Sequence, residues 1–147
     1  MITIEKKSIQ EQPSKTELES YVTFLHTNLE EYGDKKEDIA KALDYALGKD
    51  NKPGGFILIA KSESNNILGI TVILDTLMEQ FIPEHILVYI ATDSNQRGKG
   101  IGKKLMQEAI QETKGSIALH VEPQNPAKIL YEKLGFQSKY LEMRLTK

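Results

Sequence analysis

The chain has 147 residues, of which 39% are hydrophobic and 27% charged; this suits one globular domain over residues 1–147 with a layered core and leaves little for a second. Nineteen Lys and Arg against 21 Asp and Glu give a formal charge of −2, so no overall basic field exists to hold a nucleic-acid backbone or an anionic membrane, and any anion site must be local. The lack of cysteine excludes disulfide scaffolds, Cys-based zinc sites and thiol nucleophiles.

The amino-terminal Met1–Lys7 has no signal-like apolar stretch, and runs such as Ile86–Ala91 are too short to span a bilayer, so a cytoplasmic, soluble protein is expected. No repeat or low-complexity tract divides the chain. Residues 1–60 carry eight Lys/Arg and eleven Asp/Glu, whereas residues 61–147 carry eleven and ten, which puts the basic surplus in the second half.

Taken in chain order, Ile2–Glu5 reads as a short first strand. Ser14 then caps a helix whose apolar residues Leu18, Tyr21, Val22, Leu25 and Leu29 recur at helical spacing, and Gly33 ends it. A second helix starts near Lys36, with Ile39, Ala42, Leu43, Ala46 and Leu47 on one face and Gly48 as its stop. Phe56–Ala60 and Ile67–Leu74 are β-rich runs joined by a turn containing Asn65-Asn66, an antiparallel hairpin. Ile86–Thr92 reads as a buried strand. After a glycine-rich stretch, Leu105, Met106, Ala109 and Ile110 mark a third helix, Ser116–Val121 a half-buried strand, and Pro126–Gly135 a short helix. The tail alternates at Leu141, Met143 and Leu145 and predicts one or two closing strands over Phe136–Leu145. A hairpin ahead of a strand–helix–strand unit makes this an α+β layout with a mixed sheet.

The most informative stretch is Thr92–Lys104, between a buried strand and an amphipathic helix. The first N–H groups of a helix have no intrahelical partner and sit at its positive end, so they can donate to phosphate oxygens. Gly98, Gly100 and Gly102, with Ile101 among them, remove side chains that would hold an anion away from that backbone. Arg97, Lys99, Lys103 and Lys104 add positive charge with no acid among them. Neither a Walker loop nor the dinucleotide Gly-x-Gly-x-x-Gly pattern fits this spacing. What remains, Arg97-x-x-Gly100-x-Gly102, resembles the acyl-CoA pyrophosphate loop of the GNAT N-acetyltransferase superfamily. Leu119–Phe136, a strand followed by Asn125 and a helix ending in Tyr131, Leu134, Gly135 and Phe136, looks like the second signature of that family.

The resemblance implies a GNAT-like mixed, mostly antiparallel sheet with a splayed central parallel strand pair and helices on both faces. It implies acetyl-CoA as cosubstrate, no metal, and an amine acceptor on a small molecule or on a protein or peptide, with no nucleic-acid or membrane partner; a homodimer is compatible with it. Backbone groups over Ile90, Ala91 and Thr92 would pair with the pantetheine arm and polarise the thioester carbonyl. Residues Arg97–Lys103 would hold the pyrophosphate, and Asn125 would cap the helix or reach the arm. Tyr131 would protonate the departing thiolate, a role that suits a phenol with a reference pKa of roughly 10; a plain core position is its other reading. Family members that use a glutamate base often carry it where this chain has Ile86. Glu84, two residues earlier, shares that face under simple alternation and is the candidate base, with His85 on the other face unless a bulge intervenes. The acidic run Glu30, Glu31, Asp34, Glu37 and Asp38 lies between the first two helices, which in this family border the acceptor mouth; it reads either as a draw for cationic amines or as a solvated face. A non-catalytic acyl-CoA-binding or sensor domain and a phosphate-binding module are the alternatives.

Overall fold

A computed structural model describes residues 1–147. Its frame is a five-stranded sheet in the order β1 (Thr3–Lys7), β2 (Gly55–Lys61), β3 (Ile67–Asp75), β4 (His85–Thr92) and β5 (Ile117–Leu119), with the first four antiparallel and β4–β5 parallel. The helices are α1 (Lys15–Leu29), α2 (Lys36–Ala46), α3 (Ile101–Glu112) and α4 (Ala127–Lys133). None is long and apolar enough to cross a membrane.

Period-two alternation along β2 explains why helices cover both faces. Ile57 and Ile59 point into a core with Tyr21 and Leu25 of α1 and Ile39, Leu43 and Ala46 of α2. Phe56, Leu58 and Ala60 point into a second core with Ile101, Leu105, Met106 and Ala109 of α3 and Tyr131 of α4. α1 begins with a capping box: Ser14 Oγ accepts the Glu17 N–H at 3.1 Å and Glu17 Oε1 accepts the Ser14 N–H at 2.8 Å. Gly48 ends α2 with φ +74°, the left-handed value that its position called for.

Two features of the sheet shape the site. Pairing between β4 and β5 runs only from His85↔Ile117 to Leu87↔Leu119, after which the two strands no longer hydrogen-bond. That is the splayed parallel pair. The second is a bulge in β4: Val72 pairs with Tyr89 and Ile73 with Leu87, so Val88 is an extra residue. Val88 and Tyr89 consequently both pack on the α1/α2 side, while Leu87 and Ile90 pack on the α3/α4 side. Simple alternation, which put Glu84, Ile86, Val88 and Ile90 on one face, fails at this bulge.

The tail departs from its alternating pattern. Residues 137–147 form no strand, and Tyr140, Leu141, Met143 and Leu145 are 82–90% exposed. A closing strand needs an edge to receive its N–H and C=O groups, and β5 offers only three residues before it ends.

Candidate active site

The site is built where β4 ends and α3 begins. Asp93 donates its amide to the Leu68 carbonyl of β3 at 2.9 Å. Backbone groups alternate sides along a strand, so those of Thr92 and Ile90 turn away from β3, toward the side that β5 has left. They face the gap where pairing with β5 has ended, with Ala91 between them packed into the α1/α2 core.

The glycine loop continues from there through a 3-10 turn, Ser94–Gln96, whose start is held by Asp93 Oδ1 accepting the Asn95 N–H at 2.9 Å. Gly98 and Gly100 have φ +81° and +79°, values that favour glycine, and a Cβ built on either meets no atom within 4 Å. The space in front of the start of α3 is open, and no side chain caps it. Ile101 anchors the helix in the core, while Lys103 and Lys104 are exposed without an ion-pair partner. Gly102 faces the other way: a Cβ there would lie 3.5 Å from Leu130 Cδ2 and 3.8 Å from Thr92 Cγ2.

Arg97 does not join this open cradle. Its guanidinium pairs with Glu30 Oε1 at 2.9 Å and donates to the Asn28 carbonyl at 2.9 Å, and Asn28 Oδ1 accepts the Ser94 N–H at 3.1 Å. The acid that neutralises Arg97 comes from the end of α1, some 67 positions earlier in sequence, which no local motif could signal. Lys99 donates to Gln96 Oε1 at 3.0 Å. The loop is thereby clamped to the connection between α1 and α2.

Across the wedge stands α4. Asn125 Oδ1 accepts the Ala127 N–H at 2.9 Å, so Asn125 does cap the helix, and its amide nitrogen remains free. At the other end Gly135 takes φ +102°, and the Phe136 N–H returns to the Tyr131 carbonyl at 3.0 Å, which folds the Phe136 ring onto Tyr131 with centroids 5.9 Å apart. This turn fixes the Tyr131 ring. Tyr131 is 7% exposed, and burial alone pushes its phenol up to about 12.

Glu84 sits apart from these groups. It precedes β4, whereas the glycine loop follows β4, so the length of the strand separates them, roughly 23 Å at a rise of ~3.3 Å per residue. Its Oε1 accepts the Ser116 N–H at 2.7 Å and its Oε2 the Gln80 N–H at 3.1 Å. Those backbone donors, with Ser116 the strongest, hold its carboxyl below the usual glutamate value. His85 is likewise engaged on both ring nitrogens, with Asp75 Oδ1 and the Lys114 carbonyl, each at 2.9 Å.

Sequence reasoning missed one pair. Tyr89, turned to the α1/α2 side by the bulge, donates its hydroxyl to Asp34 Oδ2 at 2.5 Å. Burial first, then the Asp34 carboxylate, pushes the Tyr89 phenol up. Tyr32, in the connection between α1 and α2, is pushed up by burial first and by the charges of Glu31, Glu122 and Glu30.

A splayed parallel strand pair beside a glycine-rich helix start defines a class of acyl-group transferases. A family model described as an acetyltransferase (GNAT) domain matches residues 53–138, and the chain belongs to that family. Among solved structures, a transcriptional regulator from Bacillus halodurans C-125 is 21% identical with TM-score 0.70, and the match covers 100% of each chain. PH1933 from Pyrococcus horikoshii OT3 is 25% identical with TM-score 0.69, over 97% of this chain and 93% of that one. The ribosomal-protein-S18-alanine N-acetyltransferase of Escherichia coli is 19% identical with TM-score 0.69, over 95% and 80%. No curated protein matches by sequence.

Proposed function

We propose that the whole chain acts as one N-acetyltransferase domain, passing an acetyl group from acetyl-CoA to a primary amine of a small molecule or of a protein or peptide by direct attack in a ternary complex. The observation that carries this reading is the wedge: pairing stops at Leu87 and Leu119, and the backbone groups of Ile90 and Thr92 are left facing the gap beside an uncapped helix start.

Acetyl-CoA would supply the activated acyl group as a thioester. The free N–H groups at Ile101, Gly102 and Lys103, with Gly98 and Gly100 in front of them and Lys99 and Lys103 at the side, suit its pyrophosphate. Arg97 contributes by holding the loop to α1 through Glu30 and Asn28. Main-chain groups of Ile90, Ala91 and Thr92 would orient the arm, with the free amide nitrogen of Asn125 within the same wedge wall, and a main-chain N–H would steady charge on the carbonyl oxygen. Tyr131 fits the proton donor: raised to about 12, its phenol stays protonated at neutral pH and is available to a departing thiolate. Glu84, with both oxygens bonded to backbone amides, suits a clamp joining the start of β4 to the α3–β5 turn. An ammonium-bearing acceptor fits the acidic Glu31 and Asp34 of the α1–α2 connection.

The test has two arms. Acetyl-CoA should raise the melting temperature through preferential binding to the folded state, and a panel of polyamines, amino acids, aminoglycosides and peptides should contain an acceptor that releases free thiol. Binding without thiol release across the panel would favour a sensor role instead, and no binding would remove the acyl-CoA reading.

A further inference from the structure

The transferase reading leaves one requirement unmet, because a primary amine reaches the site at neutral pH as an ammonium and must lose a proton before its nitrogen carries a lone pair. Neither Glu84 nor His85 is free to take it, since their polar atoms are bonded at the far end of β4. Two contacts locate the segment Glu30–Asp34 over the wedge. Glu30 pairs with Arg97 of the glycine loop, and Asp34 accepts the hydroxyl of Tyr89 on β4. The second contact exists because the extra residue Val88 rotates Tyr89 onto the α1/α2 side, in the stretch of β4 that β5 has left. Tyr89 itself is buried, and Asp34 is exposed. The hydroxyl therefore spends its single proton on Asp34 Oδ2 and keeps its lone pairs for an incoming N–H, while Asp34 Oδ1 has no partner in the chain.

Resting on the transferase reading, we propose that Asp34 and Tyr89 form the proton acceptor for the acceptor amine. The ammonium gives one proton to the Asp34 carboxylate, either directly or by passing it to the Tyr89 oxygen as the phenol proton moves to Asp34. The freed lone pair then forms the C–N bond as the thioester C–S bond breaks. The second nitrogen proton leaves to solvent, Tyr131 gives its proton to sulfur and regains one from solvent, and Asp34 returns the first proton to solvent. The product is an amide, a free thiol and one released proton.

The test compares Asp34→Asn, Tyr89→Phe and the double variant in the full chain, with the best alkylamine of the acceptor panel. Asp34→Asn should lower kcat on the order of 100-fold at pH 7, and the loss should close as pH rises and the amine deprotonates itself in solution. Tyr89→Phe should lose less, with the same pH trend, and the double variant should be no worse than Asp34→Asn, as for two groups acting in one path. The thermal shift produced by acetyl-CoA should remain at its wild-type size in all three. A kcat loss constant across pH, a rise in KM alone, or wild-type kinetics would each overturn the proposal while leaving the transferase reading intact. Absence of thiol release by the wild-type protein with every amine would instead remove that reading, and this one with it.

Discussion

Replacing Tyr131 by Phe separates a proton donor from a core aromatic. The Phe ring keeps the volume and the tilted contact with Phe136 at 5.9 Å. The phenol pKa of about 12 arises from burial alone, with no hydrogen-bonded or charged neighbour contributing, so removing the hydroxyl orphans no partner. The stability change should stay within about 0.5 kcal/mol. At pH 7 a phenol with that pKa is ionised in only about one molecule in 100,000, so essentially the whole population carries the proton. Losing a positioned general acid costs about 100- to 10,000-fold in rate, or about 2.7–5.4 kcal/mol of barrier at 1.36 kcal/mol per decade. The expected pattern is a large fall in kcat with the acetyl-CoA dissociation constant and the melting temperature nearly unchanged. The pH dependence carries a second signature. A folded pKa raised above the unfolded value of about 10 favours the neutral phenol in the folded state; its contribution to stability is full below pH ~10 and is lost as pH rises through about 12. No basic limb of the rate profile near pH 10 should therefore belong to Tyr131. Stopped-flow thiol detection with calorimetric binding and melting curves makes all three readings. A variant with wild-type kcat, or one that loses several kcal/mol of stability together with binding, would refute the reasoning.

Further outcomes follow from the same geometry. Gly100→Val, at φ +79° and facing open space, should destabilise by about 1–2 kcal/mol and weaken acetyl-CoA binding at least tenfold by titration calorimetry, whereas Gly102→Ala, whose Cβ finds ordinary contacts at 3.5 and 3.8 Å, should fold with equal or greater stability. Glu84→Gln should lower the melting temperature near neutral pH while leaving kcat in place. Because the Glu84 pKa is lowered, that contribution is present above pH ~4.5 and fades as pH falls through the folded value, so variant and wild-type melting curves should converge in acid. A kcat loss confined to low and neutral pH would instead restore Glu84 as the base. Leu105→Ala, at a fully buried position between α3 and the sheet, should cost about 2–5 kcal/mol by chemical denaturation.

What could be read from sequence was what short-range spacing encodes. The helix cap at Ser14, the hairpin turn, the glycine loop and the Tyr131–Phe136 helix end each lie within a few residues and set their own backbone, and all appear where the pattern put them. What escaped depends on partners far apart in the chain. The bulge at Val88 is a matter of register between β3 and β4, so alternation along β4 alone assigned Glu84 to the face of Ile90 and gave no hint of Tyr89 over Asp34. Arg97 read as a phosphate ligand from its place in the glycine-loop pattern, and the acid that it pairs with arrives from the end of α1. The tail had the periodicity of a strand, but periodicity cannot supply the edge that a strand requires, and β5 ends at Leu119.

The most direct measurement of the central claim follows free thiol and acceptor together: the purified chain, acetyl-CoA and the amine panel, with thiol release quantified and the acceptor examined by mass spectrometry for acetylation at nitrogen. The account predicts that at least one amine is acetylated in step with thiol release, and that Tyr131→Phe slows both equally. Acetyl-CoA bound tightly with neither thiol nor acetylated amine formed, across every amine and at alkaline pH, would contradict it.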